Sequence, residues 1–303
     1  MESFETLIVG AGPAGLSCAL ELIHCGIGCA ILEKSDRPGG QLWEIDAPIL
    51  NFAGGFFENG GEIAERLQSV SQISNANIIF GANVEQIDLK TKTIEVAGTT
   101  YRGKTIVLAT GQRARRLHLP GESTYRSDIV YKRGEIEQEL DGKKIIVIGG
   151  GDPALSEGMT LSDLCDNVTV LHRSRSLSAS KELVALVQGN PKMNVMLDAE
   201  IDSLAGDKRL SSVQIVSGES GQLIDLPVNL ILIKIGYAPN TELFRGQIKM
   251  DQEGYITVDR FCESSMAGVY AVGDIIDPNY PRIAMAVGHG MIAAANIRKA
   301  LTS

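Results

Sequence analysis

Two stretches of this chain each specify a strand, a glycine loop and a helix, and together they restrict the fold more than any other feature. "TLIVGAGPAGLSCALELI" runs from an apolar strand through Gly10, Gly12 and Gly15 into an amphipathic helix. The G-x-G-x-x-G order has a physical content. Gly10 allows a tight turn, Gly12 leaves room for a pyrophosphate against the backbone, and Gly15 lets the helix pack closely on the strand; the helix N-terminus faces the phosphate charge. "CAILEK" follows as a second strand, and Glu33 at its end stands where an acid binds a ribose hydroxyl. The pattern recurs in "KKIIVIGGGDPALSEGMTLSDLCDNVTVLHRSR", with Gly149, Gly150 and Gly151 in the loop, Asp152 opening the helix, Ala154 at the third small position and Pro153 in the first turn, where its missing N–H costs little. Its second strand ends in His172 and Arg173 rather than an acid, which suits a phosphate or another anionic group; a surface-charged turn is the plainer alternative.

Two late segments belong with the first pattern. "GVYAVGDI" reads as a buried strand ending in Gly273-Asp274, and "RIAMAVGHGMIAAANIRKAL" as a small-residue helix suited to close packing beside a cofactor. The chain therefore reads as α/β, with two Rossmann-like three-layer nucleotide-binding domains, the second inserted into the first. Residues 1–116 and 239–303 form the first domain and residues 117–238 the second, with joints at "HLPGES" and "IGYAPN". A length of 303 residues suits two domains of ordinary size.

Composition removes several alternatives. The 28 Lys and Arg against 37 Asp and Glu give a net charge of −9, which argues against nucleic acid as a partner and supplies no polybasic lipid anchor. No window is long and apolar enough to span a bilayer, and the acidic start "MESFETLIVGAG" enters a strand directly, so the expectation is a cytoplasmic protein with no transmembrane segment or signal peptide. No metal-ligand spacing and no hydrolytic nucleophile–base pair stands out. Five cysteines (18, 25, 29, 165 and 262) are an odd number in an intracellular chain, so any bridge among them reads as redox-active rather than structural.

The ordered set "GAGPAG", "PGGQL", "ATG", "IGGGDPA", "HRSR", "IGYAPN" and "GVYAVGDI" resembles the low-molecular-weight thioredoxin reductase family over nearly the whole chain. The resemblance implies an FAD-bound homodimer that exchanges electrons with a thiol/disulfide partner. It assigns to the FAD site Gly10, Gly12, Pro13, Ala14, Gly15, Glu33, Lys34, Gly40, Gln41, Leu42, Asn51, Val84, Ala109, Thr110, Gly111, Gly273, Asp274, Arg282, Ile283 and Ala284. Gln41 and Asn51 can hydrogen-bond ribityl or ring edges, Asp274 can accept from a ribityl hydroxyl, and the backbone after Arg282 can donate to the pyrimidine end of a flavin. The second site takes Gly149, Gly151, Asp152, Pro153, Arg173, Arg175, Gly236 and Tyr237.

Two departures qualify the resemblance. The family carries a Cys-x-x-Cys just before the second nucleotide strand, and here that segment is "SDIVYKRGEIEQELDGKK", without a cysteine. The family's NADPH clamp has further arginines after the His-Arg pair. Here Arg173 and Arg175 remain but Ser178 and Ala179 follow, so a 2′-phosphate loses charge-assisted contacts and NADPH is expected to be a poor reductant. Both departures fit the diflavin-linked disulfide oxidoreductases of oxygenic photosynthetic bacteria, which resemble thioredoxin reductases, bind a second FAD and exchange electrons with a disulfide. An NAD(P)H-dependent flavin reductase acting on ferredoxin or a small, quinone-like acceptor is the alternative within enzymes; a non-catalytic flavin sensor is the alternative outside them.

A thiol enzyme lacking the usual pair needs another, and Cys25 and Cys29 are the candidates. Gly26 and Gly28 between them allow a reversal that brings the Cα atoms within disulfide range. The plain alternative is packing, since Ala14, Cys18 and Cys25 share a helix face and Cys29 opens a buried strand. The pair also lies some twelve residues, about 18 Å, from the pyrophosphate end of the helix, so a relay would be required. Cys165 at a helix end and Cys262 near an exposed turn read as passive thiols, and His24 as an exposed helix-end histidine. His289 in "VGHGMI" is a candidate for flavin contact or proton transfer, with a structural hydrogen bond as the alternative; Trp43 and Tyr280 are the aromatics available to stack on a ring.

Overall fold

The computed structural model describes residues 1–302 apart from 219, 278 and 280. Tyr280 therefore lies outside the described residues. In chain order the elements are β1 (Glu2–Val9), α1 (Pro13–His24), β2 (Cys29–Leu32), α2 (Gly60–Ile73), β3 (Ile78–Ile79), β4 (Val84–Asp88), β5 (Thr93–Val96), β6 (Thr99–Leu108), β7 (Gln112–Ala114), β8 (Ile129–Val130), β9 (Lys144–Ile148), α3 (Asp152–Ser162), β10 (Asn167–His172), α4 (Lys181–Gly189), β11 (Met193–Leu197), β12 (Ala199–Gly206), β13 (Leu210–Ser217), β14 (Leu223–Pro227), β15 (Leu230–Ile233), β16 (Tyr237–Pro239), β17 (Val269–Ala271) and α5 (Ile283–Thr302). Contacts divide the chain into one unit of Met1–Arg113 with Ala238–Ser303 and a second of Ala114–Tyr237.

The first unit holds a seven-stranded sheet in the order β3-β2-β1-β6-β5-β4, with β17 also paired to β6. Its nucleotide-binding half is parallel, while β4, β5 and β6 form an antiparallel meander. Strands buried on both faces read as unbroken apolar runs, as "LIV" at the end of β1 and "CAIL" in β2 do. One face packs on α1 and α5 through Leu16, Leu22, Ala293 and Ile297; the other closes over Leu89, Ile94, Phe244 and Ile256. The α1–α5 seam is close because it is lined by small residues. A Cβ at Gly290 would run into the Ala14 carbonyl, and the Ser17 hydroxyl donates to the Val287 carbonyl at 2.9 Å.

The second unit is a three-layer sandwich. Its central sheet, β11-β10-β9-β15-β8, is wholly parallel. On one face α3 and α4 pack through Ala154, Leu155, Leu161 and Val187; on the other the antiparallel sheet β12-β13-β14 contributes Ile201, Val213 and Ile215. Gly158 lets α3 approach the sheet, because a Cβ there would stand 2.8 Å from Met193 Cε. Asp128, with no exposed surface, accepts from Arg209 Nε at 2.8 Å and from the Leu210 N–H at 2.9 Å, tying the entry to the unit to the start of β13.

Candidate functional site

The glycine loop of the first unit has the backbone its sequence requires. Gly10 adopts φ +107°, and a Cβ there would run into the Ala109 carbonyl; a Cβ at Gly15 would run into the Gly10 carbonyl. Gly12, the N-cap of α1, has open space where its side chain would be, which is the gap a pyrophosphate needs. Pro13 and Ala14 open the helix, and no acidic residue occupies its first turn. Glu33 is buried at the end of β2. Its Oε2 accepts from the Ala11 N–H at 2.6 Å and its Oε1 from the Ser35 N–H at 2.8 Å, which aims the carboxylate and leaves each oxygen lone-pair capacity for ribose hydroxyls.

Other candidates converge on this loop. Gly40, at φ +54°, lies against Gly12, and a Cβ there would stand 3.2 Å from the Gly12 Cα. It begins the one-turn helix Gly40–Glu44, in which Leu42 is buried; Gln41 Nε2 stands 3.3 Å from where a Gly111 Cβ would be. The Ala109–Gly111 loop is locked by Asn240, whose carbonyl accepts from the Thr110 hydroxyl at 2.7 Å and whose Nδ2 donates to the Thr110 carbonyl at 2.9 Å. Gly273, at φ +78°, backs onto Ala14, so Asp274 sits beside the start of α1. Burial raises the Asp274 carboxyl above the usual range, against a hydrogen bond from Gln112 Nε2 at 3.2 Å. An added hydroxyl donor there would relieve that burial. Sequence reasoning missed Gln112 and the role of Asn240, because neither lies inside a glycine motif.

The remaining candidates are looser. Lys34 and Asn51 are exposed, and Val84 is half-buried at the start of β4. Arg282 is exposed just before α5, which Ile283 and Ala284 begin. Further along α5, His289 Nδ1 is buried without a hydrogen-bond partner, and burial lowers its pKa against the opposing charge of Asp277. Trp43 is already engaged: its Nε1 donates to the Pro38 carbonyl at 2.8 Å and the Arg37 guanidinium stacks 4.0 Å from its ring, so this side chain is part of the 37–43 turn rather than a free platform. An open Gly12, an aimed Glu33, a half-buried Asp274 and an unpaired His289 nitrogen suit a group with pyrophosphate, ribose and a polar ring, and FAD fits them.

The second loop is built alike. Gly149 has φ +145°, and a Cβ there would run into the Lys234 carbonyl; the His172 ring fills the space a Cβ at Gly150 would take. Gly151 is the N-cap of α3, and Asp152 and Pro153 open the helix. The amides of Ser178 and Ala179 both donate to the Gly150 carbonyl, at 2.8 and 3.1 Å. Burial, with Arg173 second, lowers the His172 pKa. Arg175 pairs with Asp198 at 3.8 Å. Gly236, at φ +88°, and Tyr237 lie on the segment entering β16, where the Arg115 N–H donates to the Gly236 carbonyl at 3.0 Å.

All five cysteines are free thiols. Cys25 and Cys29 are free thiols facing different ways, although Gly26 does take a left-handed φ of +74°. Cys25 caps α1, where its Sγ lies 3.6 Å from Glu21 Oε1 and receives a hydrogen bond from Arg298 Nη1 at 3.6 Å. Cys29 enters β2 opposite Thr6, and its Sγ turns into the core toward the Ala19 carbonyl at 3.9 Å. Burial pushes its thiol up to about 11. Cys262, expected near an exposed turn, is buried in the same core as Cys18 and Cys29 and is likewise pushed up to about 11. Cys165 is buried, with its Sγ on the Asn167 carbonyl, and His24 is exposed at the end of α1.

Within the cysteine-free segment 127–144 lies a one-turn helix, Arg133–Glu135, with Glu135 accepting from the Tyr131 N–H at 2.8 Å. Beside it Glu157 on α3 faces two cations, Arg133 and Lys234, each at 3.7 Å.

Comparison with known proteins agrees with this geometry. The family model for pyridine nucleotide-disulphide oxidoreductases matches residues 4–290. A thioredoxin reductase from Streptomyces coelicolor is 33% identical over 96% of this chain and 92% of its own length. An NADH dehydrogenase from Bacillus subtilis is 30% identical over 97% of this chain and 58% of its own. The crystal structure of Lactococcus lactis thioredoxin reductase superposes with a TM-score of 0.85 at 26% identity, covering 99% of both chains. Two glycine loops, each following a strand in a parallel stretch of sheet, and this whole-chain likeness give one conclusion: the chain belongs to the pyridine nucleotide-disulphide oxidoreductase family and is a thioredoxin-reductase-like, flavin-dependent oxidoreductase.

Proposed function

We propose that FAD bound by the first unit exchanges two electrons with a disulfide/thiol couple carried by a partner molecule, not by this chain. The single observation that supports this is the state of the protein's own sulfur. The segment 127–144, where the family resemblance places a dithiol, has no cysteine, four of the five cysteines are buried, and Cys25 is held between Glu21 and Arg298. A buried thiol kept protonated is a poor nucleophile, so the core cysteines are unsuited to rapid exchange. Gly10, Gly12, Gly15 and Glu33 hold the ADP half of the cofactor, Gln41, Thr110 and Asp274 its polar middle, and His289 is the group within reach of a proton. The flavin, when bound, supplies the two-electron chemistry. The enzyme works as a homodimer.

A second reading places another FAD in the second unit, as in the diflavin-linked enzymes; it is favoured by the uncharged Ser178 and Ala179 at positions that otherwise bind the NADPH phosphate. One experiment separates the two. FAD per chain is counted on purified protein, and flavin bleaching by dithiothreitol is followed anaerobically in the wild type and in Cys25→Ser/Cys29→Ser. One FAD per chain and an unchanged rate support the external couple. Loss of bleaching in the double variant overturns it in favour of an internal pair, and two FAD per chain supports the diflavin reading. Bleaching by micromolar NADPH within milliseconds counts against both and favours an NADPH-driven reductase.

A further inference from the structure

The second strand of the second unit lacks the terminal acid that binds a ribose, yet the fold brings carboxylates to that place from elsewhere. In the parallel pairing of β10 with β11, His172 stands beside Leu197, so Arg173 and Asp198 emerge together at the carboxyl ends of adjacent strands. A cavity of about 310 Å³ opens there, lined among others by Arg173, Asp198, Glu200 and Gly218. It lies on the edge of the sheet where dinucleotides bind, one strand beyond the glycine loop.

Asp198 is firmly placed. It adopts φ +50°, its N–H donates to the Ser174 carbonyl at 3.1 Å, and its carbonyl accepts from the Gly218 N–H at 2.7 Å. A Cβ at Gly218 would stand 2.5 Å from Asp198 Oδ1, so glycine is required to leave the carboxylate its room. Only 29% of that side chain is exposed, and its Oδ2 lies 3.8 Å from Arg175 Nε.

The charges decide what fits. Sequence alone offers Arg173 and Arg175 as an anion site. In the fold Asp198 pairs with Arg175, and Glu200 lines the same cavity as Arg173, so carboxylates stand among these guanidinium groups. A 2′-phosphate would bring nearly two more negative charges beside these carboxylates, and Ser178 and Ala179 add no cation to answer them. A free 2′-hydroxyl can instead donate to a carboxylate.

We propose that the second unit binds an adenine dinucleotide whose adenosine ribose carries free 2′- and 3′-hydroxyls, and that Asp198 determines this specificity. NADH and FAD both qualify, and NADPH does not. The inference deepens the reading of the second unit above but does not depend on which couple the flavin serves.

Calorimetric titration of the FAD-loaded protein with 5′-ADP and with 2′,5′-ADP tests it without any turnover. The expected result is that 5′-ADP binds at least about tenfold more tightly, and that Asp198→Asn narrows the ratio by about tenfold, with Glu200→Gln moving it the same way by less. Tighter binding of 2′,5′-ADP by the wild type overturns the proposal, as does a ratio unchanged in Asp198→Asn. So does failure of both fragments to bind protein carrying one FAD per chain. If two FAD per chain block both fragments, loss of the second FAD in Asp198→Asn supports the proposal and its retention overturns it. Failure of thiol-driven bleaching, by contrast, leaves these affinities untouched.

Discussion

The backbone N–H of Ser180 donates to Asp152 Oδ1 at 2.6 Å, so the segment after Arg175 is latched to the first residue of α3. Ser178 and Ala179 reinforce this through the Gly150 carbonyl. Hydrogen exchange should resolve the two contributions. In Asp152→Ala the Ser180 amide should exchange about tenfold faster, in keeping with the loss of one charge-assisted bond, while the Ser178 and Ala179 amides keep most of their protection. Equal loss at all three would show the latch to be a single unit.

Gly12 and Gly15 should fail in different ways. A side chain at Gly12 meets nothing in the protein, whereas one at Gly15 meets the Gly10 carbonyl. Gly12→Val is expected to purify folded but paler, with flavin occupancy reduced several-fold. Gly15→Val should lose about 1–3 kcal/mol or more of stability from overpacking, read by urea unfolding. A yellow, fully occupied Gly12→Val protein would contradict the placement of the pyrophosphate.

Iodoacetamide should label Cys25 first in the native protein. It is the only cysteine of the five that is not buried. Mass spectrometry after brief labelling should find Cys18, Cys29 and Cys262 modified only once the protein is unfolded, since burial raises all three thiols. Early modification of Cys29 would reopen its pairing with Cys25.

The same burial sets two limits on stability against pH. Cys29 and Cys262 are raised from an ordinary 9.0 to about 11, so the fold keeps their protons longer than the unfolded chain does. That stabilisation is complete below about pH 9 and is lost as pH climbs toward 11. His172 and His289 are lowered, so their contribution is present above the ordinary value of 6.5 and is lost as pH falls below it. Urea midpoints taken across the range should fall on both sides of a plateau. The alkaline limb should weaken in Cys262→Ala when compared with that variant's own plateau.

Asp128→Ala is expected to cost about 1–3 kcal/mol in urea unfolding, because the buried Leu210 N–H loses its acceptor. The Arg209 side chain, 55% exposed, can turn to water, so Arg209→Ala at the other end of the pair should be the milder change. A larger loss in Arg209→Ala would reverse this account.

Where sequence foretold structure, the cause was local. Gly10, Gly149 and Gly273 mark positions of positive φ, a demand written into single residues, and Glu33 follows its loop at a distance fixed by one helix and one strand. What stayed hidden depends on register. Asp198 comes to line one cavity with Arg173 only because β10 and β11 pair as they do, and no motif spans the intervening residues. The two cysteines show the converse. Their spacing and the intervening glycines permit a bridge, but strand entry at Cys29 sends its side chain inward while Cys25 stays on the helix cap. Trp43 could not be read as engaged without seeing Arg37 stacked on it.

The seam between α1 and α5 bears on how the chain is made. A ribosome delivers α1 before α5, with all of the second unit between them. Until Gly290 can seat against Ala14, the side of α1 that meets α5 has no cover and the first unit lacks its closing helix. The inserted unit has no such wait, since its own two ends are joined by the Arg115–Gly236 hydrogen bond. The inserted fold can therefore be complete first, and the one around it stays open to chaperones until α5 emerges.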